Sequence, residues 1–153
     1  MVFQRVESAS VEIVENGLRR ECAKMGAGAL VLVAVENGDT PEDAQWLAAK
    51  AANMRVYEDS DGKMNMSLKD SGGDAVVVSQ FTLFGNMRKG SRPSFNRSAH
   101  PETAVPLYEK FCELFEADLC KKIGRGEFGA DMRVHLVNDG PVTIIADSRN
   151  RDI

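Results

Sequence analysis

The apolar positions divide the chain into stretches of two different periods. Val2 to Val14 is rich in β-branched residues, and Glu15-Asn16-Gly17 supplies a tight-turn signal before Leu18 to Met25 returns, which predicts an opening hairpin. Gly26-Ala27-Gly28 breaks this pattern ahead of Leu30-Val31-Leu32-Val33-Ala34-Val35, a continuous apolar run suited to a strand covered on both faces. The period then changes. Ala44, Leu47, Ala48, Ala51 and Met54 share one helical face, Thr40 can cap it, Pro41 fits the first turn, and Glu42 and Asp43 lie near the positive end, so a helix is predicted over Pro41 to Met54.

After Arg55-Val56-Tyr57 come a turn-rich stretch at Asp59 to Gly62, then Lys63 to Ser67 and Ser71-Gly72-Gly73-Asp74, and finally a second buried strand over Ala75 to Leu83. Phe84 to Pro101 reads as a long surface loop carrying Arg88, Lys89, Arg92 and Arg97, and loops of this length often carry function. An apolar stripe from Ala104 through Leu107, Tyr108, Phe111, Cys112, Leu114 and Phe115 to Leu119 predicts a second helix ending near Gly124. Thr103 is its expected cap, and Pro106 fits only within a first turn. Met132, Val134 and Leu136 alternate with Arg133 and His135 as in a strand, Asn138-Asp139-Gly140-Pro141 reads as a turn, and Val142 to Ala146 as a last strand. Asp147 to Ile153 is a polar tail expected to fray. Helices lying between strands favour mixed α/β layers over an all-β sandwich.

Composition narrows the chemistry. At 153 residues and 16.7 kDa, with 43% hydrophobic and 27% charged residues, the chain fits one globular domain. Its longest apolar run, Ala27 to Val35, is too short to span a membrane, and Met1-Val2-Phe3-Gln4-Arg5 lacks a signal-peptide layout, so a soluble intracellular protein is expected. Nineteen basic against 23 acidic residues give a net charge of −4, so any RNA contact must come from a local patch: the loop around Arg88 to Arg97, or Lys121, Lys122 and Arg125. Cys22, Cys112 and Cys120 are odd in number and lack CxxC spacing, which disfavours a disulfide framework or a zinc site, and Cys112 reads as buried packing. With His100 and His135 alone, a multi-histidine metal centre is excluded, and a Ser-His-Asp triad would have to use one of the two.

Three features stand out, one of them these basic clusters, which can touch phosphates or be simply solvated surface. In Ser79-Gln80-Phe81-Thr82-Leu83 the buried run Val76 to Val78 ends in hydroxyl and amide groups able to line a pocket, although a threonine there can be simply a good strand residue. In Asn138-Asp139-Gly140-Pro141-Val142-Thr143 proline cannot donate and glycine permits positive φ, so a tight turn accounts for the pattern unless the Gly140-Pro141 peptide is cis.

Taken together with Gln4-Arg5-Val6, Gly62-Lys63-Met64-Asn65, Arg92-Pro93-Ser94-Phe95 and Phe128-Gly129-Ala130-Asp131-Met132, these motifs resemble the D-aminoacyl-tRNA deacylase family, in order and at matching spacing from Met1 to about Ala146. Two departures are Pro106, where the family's long helix continues, and the added tail 147–153. The resemblance implies mixed β-sheet layers in a barrel-like sandwich with two main helices packed on the sheet, a single domain over 1–146, and no cofactor or metal. It implies a cytoplasmic homodimer that hydrolyses the ester of D-aminoacyl-tRNA, with some activity on glycyl-tRNA. Ser79, Gln80, Phe81 and Thr82 would form one pocket wall. A cis Gly140-Pro141 would reach into the partner's pocket against the amino-acid Cα, oriented by Arg5. Phe128, Gly129 and Ala130 would lie near the adenosine, and Arg88, Lys89 and Arg92 are the expected tRNA contacts. The alternatives are a paralogous deacylase editing L-alanyl esters, a non-catalytic nucleic-acid-binding module, and an esterase using Thr82. Arg5 with an intact SQFTL favours the D-specific reading, and no histidine or acid stands at triad-like spacing from Thr82.

Overall fold

A computed structural model describes residues 1–152. Two strands, β1 (Val2–Glu15) and β2 (Leu18–Met25), form the opening hairpin, joined by Asn16 at φ 52° and Gly17 at φ 78°, the left-handed pair that a two-residue turn demands. Strand β3 (Gly28–Val33) follows, then helix α1 (Pro41–Asn53), a small separate hairpin of β4 (Arg55–Glu58) and β5 (Met64–Ser67), the single turn α2 (Leu68–Ser71) and strand β6 (Asp74–Ser79). A 3₁₀ turn (Phe81–Phe84), helix α3 (Pro101–Leu119), the two-residue β7 (Gly124–Arg125) and the long β8 (Met132–Ile145) complete the chain.

Strand β1 organises the sheet. Along one edge it pairs antiparallel with β3 through Val2–Val6 and with β2 through Ala9–Glu15; along the other it pairs with β8. β3 continues in parallel to β6 and β6 to β7, giving a mixed, nearly closed barrel-like sheet. The pleat explains the unbroken apolar runs. Leu30, Val76 and Val78 turn to one side, to pack with Val6 and Val11, whereas Val31 and Val77 turn to the other, against Ala48 and Ala51 of α1 and Phe111 and Phe115 of α3. Each such strand buries two faces, so neither can show polar alternation. No helix is long and apolar enough to cross a membrane among the described residues.

Four expectations change, and one unassigned stretch gains an element. The strand expected to run to Leu83 stops at Ser79, because the chain turns into the 3₁₀ segment, with Gln80 N still donating to Val33 O at 2.7 Å. Lys63 to Ser67 supplies β5, and Ser67 then caps α2 by accepting from Asp70 N at 3.1 Å. α3 begins at Pro101, with His100 rather than Thr103 at its N-cap, so Pro106 lies in the second turn. The helix tolerates it because Pro106 is exposed and water can satisfy the carbonyl left without a donor. Asn138 to Pro141 does not divide two strands; β8 runs through it. Finally, the tail is docked over the described residues 147–152: Ser148 is buried, Arg149 bridges Glu36 at 3.5 Å, and the Arg151 guanidinium lies 4.7 Å from the centre of the Trp46 ring. Ile153 lies outside the described residues.

Candidate active site

The parallel pair β3–β6 directs two strand ends to the same place, and a cleft of about 300 Å³ opens there. One wall is Val78-Ser79-Gln80-Phe81, where β6 gives way to the 3₁₀ turn; the facing wall is Phe128-Gly129-Ala130, with Tyr108 of α3 between them. The geometry thus brings together two of the motifs singled out in the sequence. The Tyr108 hydroxyl is buried and donates to Val77 O at 3.1 Å, and its ring meets Phe128 edge-on at 6.0 Å. Burial pushes its pKa far above the ordinary tyrosine value, so it stays neutral and acts as a fixed wall. Burial likewise pushes the Cys112 thiol up to about 11, which makes it inert packing.

The polar groups of the cleft are modest. Thr82 is exposed, does not line the cleft, and its Oγ1 accepts from Gln80 Nε2; it has no imidazole or carboxylate partner among the described residues. His100 sits at the α3 cap, and His135 lies against Glu12 at 3.2 Å on the outer surface. Leu83 N donates to Gln80 O and Gly85 N to Thr82 O, which leaves the Phe81 and Thr82 N–H groups as the turn's donors without an acceptor among the described residues. Such paired amides can stabilise an oxyanion without any side-chain nucleophile. Phe81 stands 57% exposed at the rim, braced edge-on by Phe95 at 5.1 Å.

A second feature lies outside this cleft. Gln4 pairs with Thr143 and Val6 with Asn138, so β8 has four residues between these pairs where β1 has one, and residues 139–142 are extruded as a crest. The Gly140–Pro141 peptide at its top is cis, as the resemblance implies, and both residues are exposed; neither lines the cleft of its own chain. Arg5, only 7% exposed, holds the crest from below: its Nε lies 3.3 Å from Asp139 O and 3.0 Å from the Asp139 carboxylate, while Nη1 donates to Val56 O of β4 at 2.6 Å. Tyr57, whose hydroxyl donates to Gly28 O, has its pKa raised by burial and stays neutral beside this pair.

The two basic clusters separate cleanly. Lys121 is held by Asp74 at 2.6 Å, Lys122 by Glu116 at 2.9 Å, and Arg125 by Glu109 and Glu116. Arg88, Lys89 and Arg92 are exposed on the loop that the Asn86–Ser94 bridge closes, and have no carboxylate partner among the described residues. Sequence reasoning missed Tyr108 and Val56. Tyr108 carried only the signal of an apolar helix stripe, and Val56 acts through a carbonyl, which no residue type reveals.

A nearly closed barrel-like sheet with two long helices on one face and a cleft at the end of a parallel strand pair is a deacylase-type α/β fold, and solved structures bear that out. The chain superimposes on the c-Myc DNA unwinding element binding protein with a TM-score of 0.83 at 37% identity over 94% of both chains, and on a structure described as a probable eukaryotic D-amino acid tRNA deacylase with a TM-score of 0.80 at 16% identity over 94% of this chain and 95% of that one. The profile of the family described as D-Tyr-tRNA(Tyr) deacylase matches residues 2–147, and the chain belongs to that family. Proteins named D-aminoacyl-tRNA deacylase are similar along their whole length: that of Akkermansia muciniphila is 52% identical over 153 residues and that of Porphyromonas gingivalis 49% over 152, each covering 99% of both chains.

Proposed function

We propose that this protein is a cytoplasmic hydrolase that cleaves the ester between a D-amino acid and the 3′-terminal adenosine of tRNA. The observation that carries the reading is the joining of Ser79-Gln80-Phe81 and Phe128-Gly129-Ala130 around one cleft in a chain of the deacylase family. Aminoacyl esters are already labile, so positioning in the cleft, an oxyanion site made of the Phe81 amide in the cleft wall and the Thr82 amide next to it in the turn, and the neighbouring ribose hydroxyl suffice without a metal or a triad. Thr82 shapes the turn and does not attack.

The crest supplies chirality in a homodimer. Gly140-Pro141 is exposed and lies outside its own cleft, and in this reading it serves the partner's, where main-chain carbonyls set against Cα leave room for a hydrogen and not for a side chain. L-Substrates are rejected, D-substrates direct their side chains outward, and glycyl-tRNA, with none, is poorly excluded. Arg88, Lys89 and Arg92 meet tRNA phosphates.

Incubation with D-tyrosyl-tRNA and L-tyrosyl-tRNA side by side tests this. Preferential release of D-tyrosine by a dimer is expected. Equal rates would remove the chiral filter and point to a general esterase, binding without hydrolysis would identify a nucleic-acid module, and an active monomer at assay concentration would refute the trans crest.

A further inference from the structure

We propose that Asn138 is a positioning residue that pins the crest and thereby sets the preference for D- over L-substrates; this rests on the function proposed above. Extruding residues 139–142 from β8 breaks the ladder with β1 and strands carbonyls on both sides of the break. The Asn138 carboxamide answers both. Its Nδ2 donates to Arg5 O on β1 at 2.9 Å and to Val142 O at 3.1 Å, at the far foot of the crest. One bond ties the crest to the sheet, and the other draws its two feet together.

The arrangement is reciprocal. Residue 5 gives its carbonyl to Asn138 and its guanidinium to Asp139, so both of its contacts grip the near foot of the crest, while the far foot is held by the Asn138 bond to Val142 O. Only a primary amide supplies two N–H donors from one atom at this reach. An aspartate of the same shape would set an acceptor against two carbonyls, and alanine would leave both unbonded in a half-buried place. Asn138 does not line the cleft, so its effect falls on the fit of the crest against Cα and not on the reacting ester.

The test uses the full chain with Asn138→Asp and Asn138→Ala. Deacylation of D- and L-tyrosyl-tRNA is measured from about pH 5 to pH 7, a range chosen because a carboxyl set against acceptors titrates above its usual value, and amide hydrogen exchange is followed alongside. Both variants are expected to lose about tenfold or more in the D/L ratio, the equivalent of one to two hydrogen bonds, with faster exchange at residues 139–143 and unchanged protection in β3 and β6. In Asn138→Asp the ratio recovers as pH falls, because the protonated carboxyl again donates one bond; Asn138→Ala shows no such recovery. The flanking Arg5 cation and Asp139 carboxylate act on the introduced carboxyl in opposite directions, and Asn138→Ala, which keeps both charges and has no carboxyl at 138, separates their own pH response from its titration. Folded variants with the wild-type ratio and wild-type crest exchange would overturn the assignment. Should the wild type show no D preference, the functional reading fails by itself, and crest exchange alone decides whether Asn138 is the pin: faster exchange upholds it and unchanged exchange overturns it.

Discussion

Gly140 is required by its own chain before any substrate arrives. Its φ of 121° is one that L residues rarely adopt, and an added Cβ would stand 2.9 Å from Val142 Cγ2 and 3.0 Å from Arg5 Nη2. The motif resemblance gives this glycine a substrate-facing reason; the structure adds an intramolecular one, since the guanidinium packs where a methyl group would go. Gly140→Ala is therefore expected to displace Arg5 from Asp139 and to cost about 1–3 kcal/mol of stability from the backbone alone, which thermal unfolding measures. The D/L ratio should fall as well. Arg5→Ala lowers the same ratio, and the double variant loses less than the two single losses combined, because both act through one contact.

At the scale of elements, α3 carries a removable defect. Pro106 lacks the N–H that would bond the preceding turn, on a face where no packing rewards it. Pro106→Ala is expected to raise stability by up to about 3 kcal/mol, seen as a higher denaturation midpoint at unchanged slope, with deacylation retained. Helix α1 was legible within one residue, because Thr40, Pro41 and Asp43 mark its start locally; Thr40 N donates to Asp43 Oδ2 at 2.9 Å. β3 and β6 were legible as doubly covered runs for the same kind of reason. The end of β6 was not, since Phe81 to Leu83 have strand-like side chains and yield to a turn fixed by Val33 O and the bracing of Phe95. The crest was misread as a turn between strands, because what keeps β8 continuous lies far away in sequence, in the carbonyl of Arg5 and the pairing of Gln4 with Thr143. The tail was expected to fray on composition alone, yet its charges find Glu36 and Asp39. For the site, motif residues around the cleft were visible, whereas partners acting through backbone atoms were not.

For the whole molecule, a net charge of −4 means that the tRNA binding proposed above rests on a local group of cations that carboxylates have not neutralised. Replacing Arg88, Lys89 and Arg92 together by glutamine should weaken tRNA binding and reduce the slope of log affinity against log salt by about 2–3, roughly one unit for each phosphate that a cation no longer neutralises, while the rate at saturating tRNA changes little. The same replacement at Lys121, Lys122 and Arg125 should leave that slope unaltered. The pairing of β1 with β8 has a consequence in time. Val2 lies beside Ile145, and Arg5 meets Asp139 across 134 residues of chain, so the crest and its holder are made at opposite ends of synthesis. Contacts of such separation form slowly. A ribosome-bound nascent chain that has already folded its hairpin and both long helices still has no crest, and the discrimination between mirror-image substrates proposed above would begin only when the last strand closes on the first.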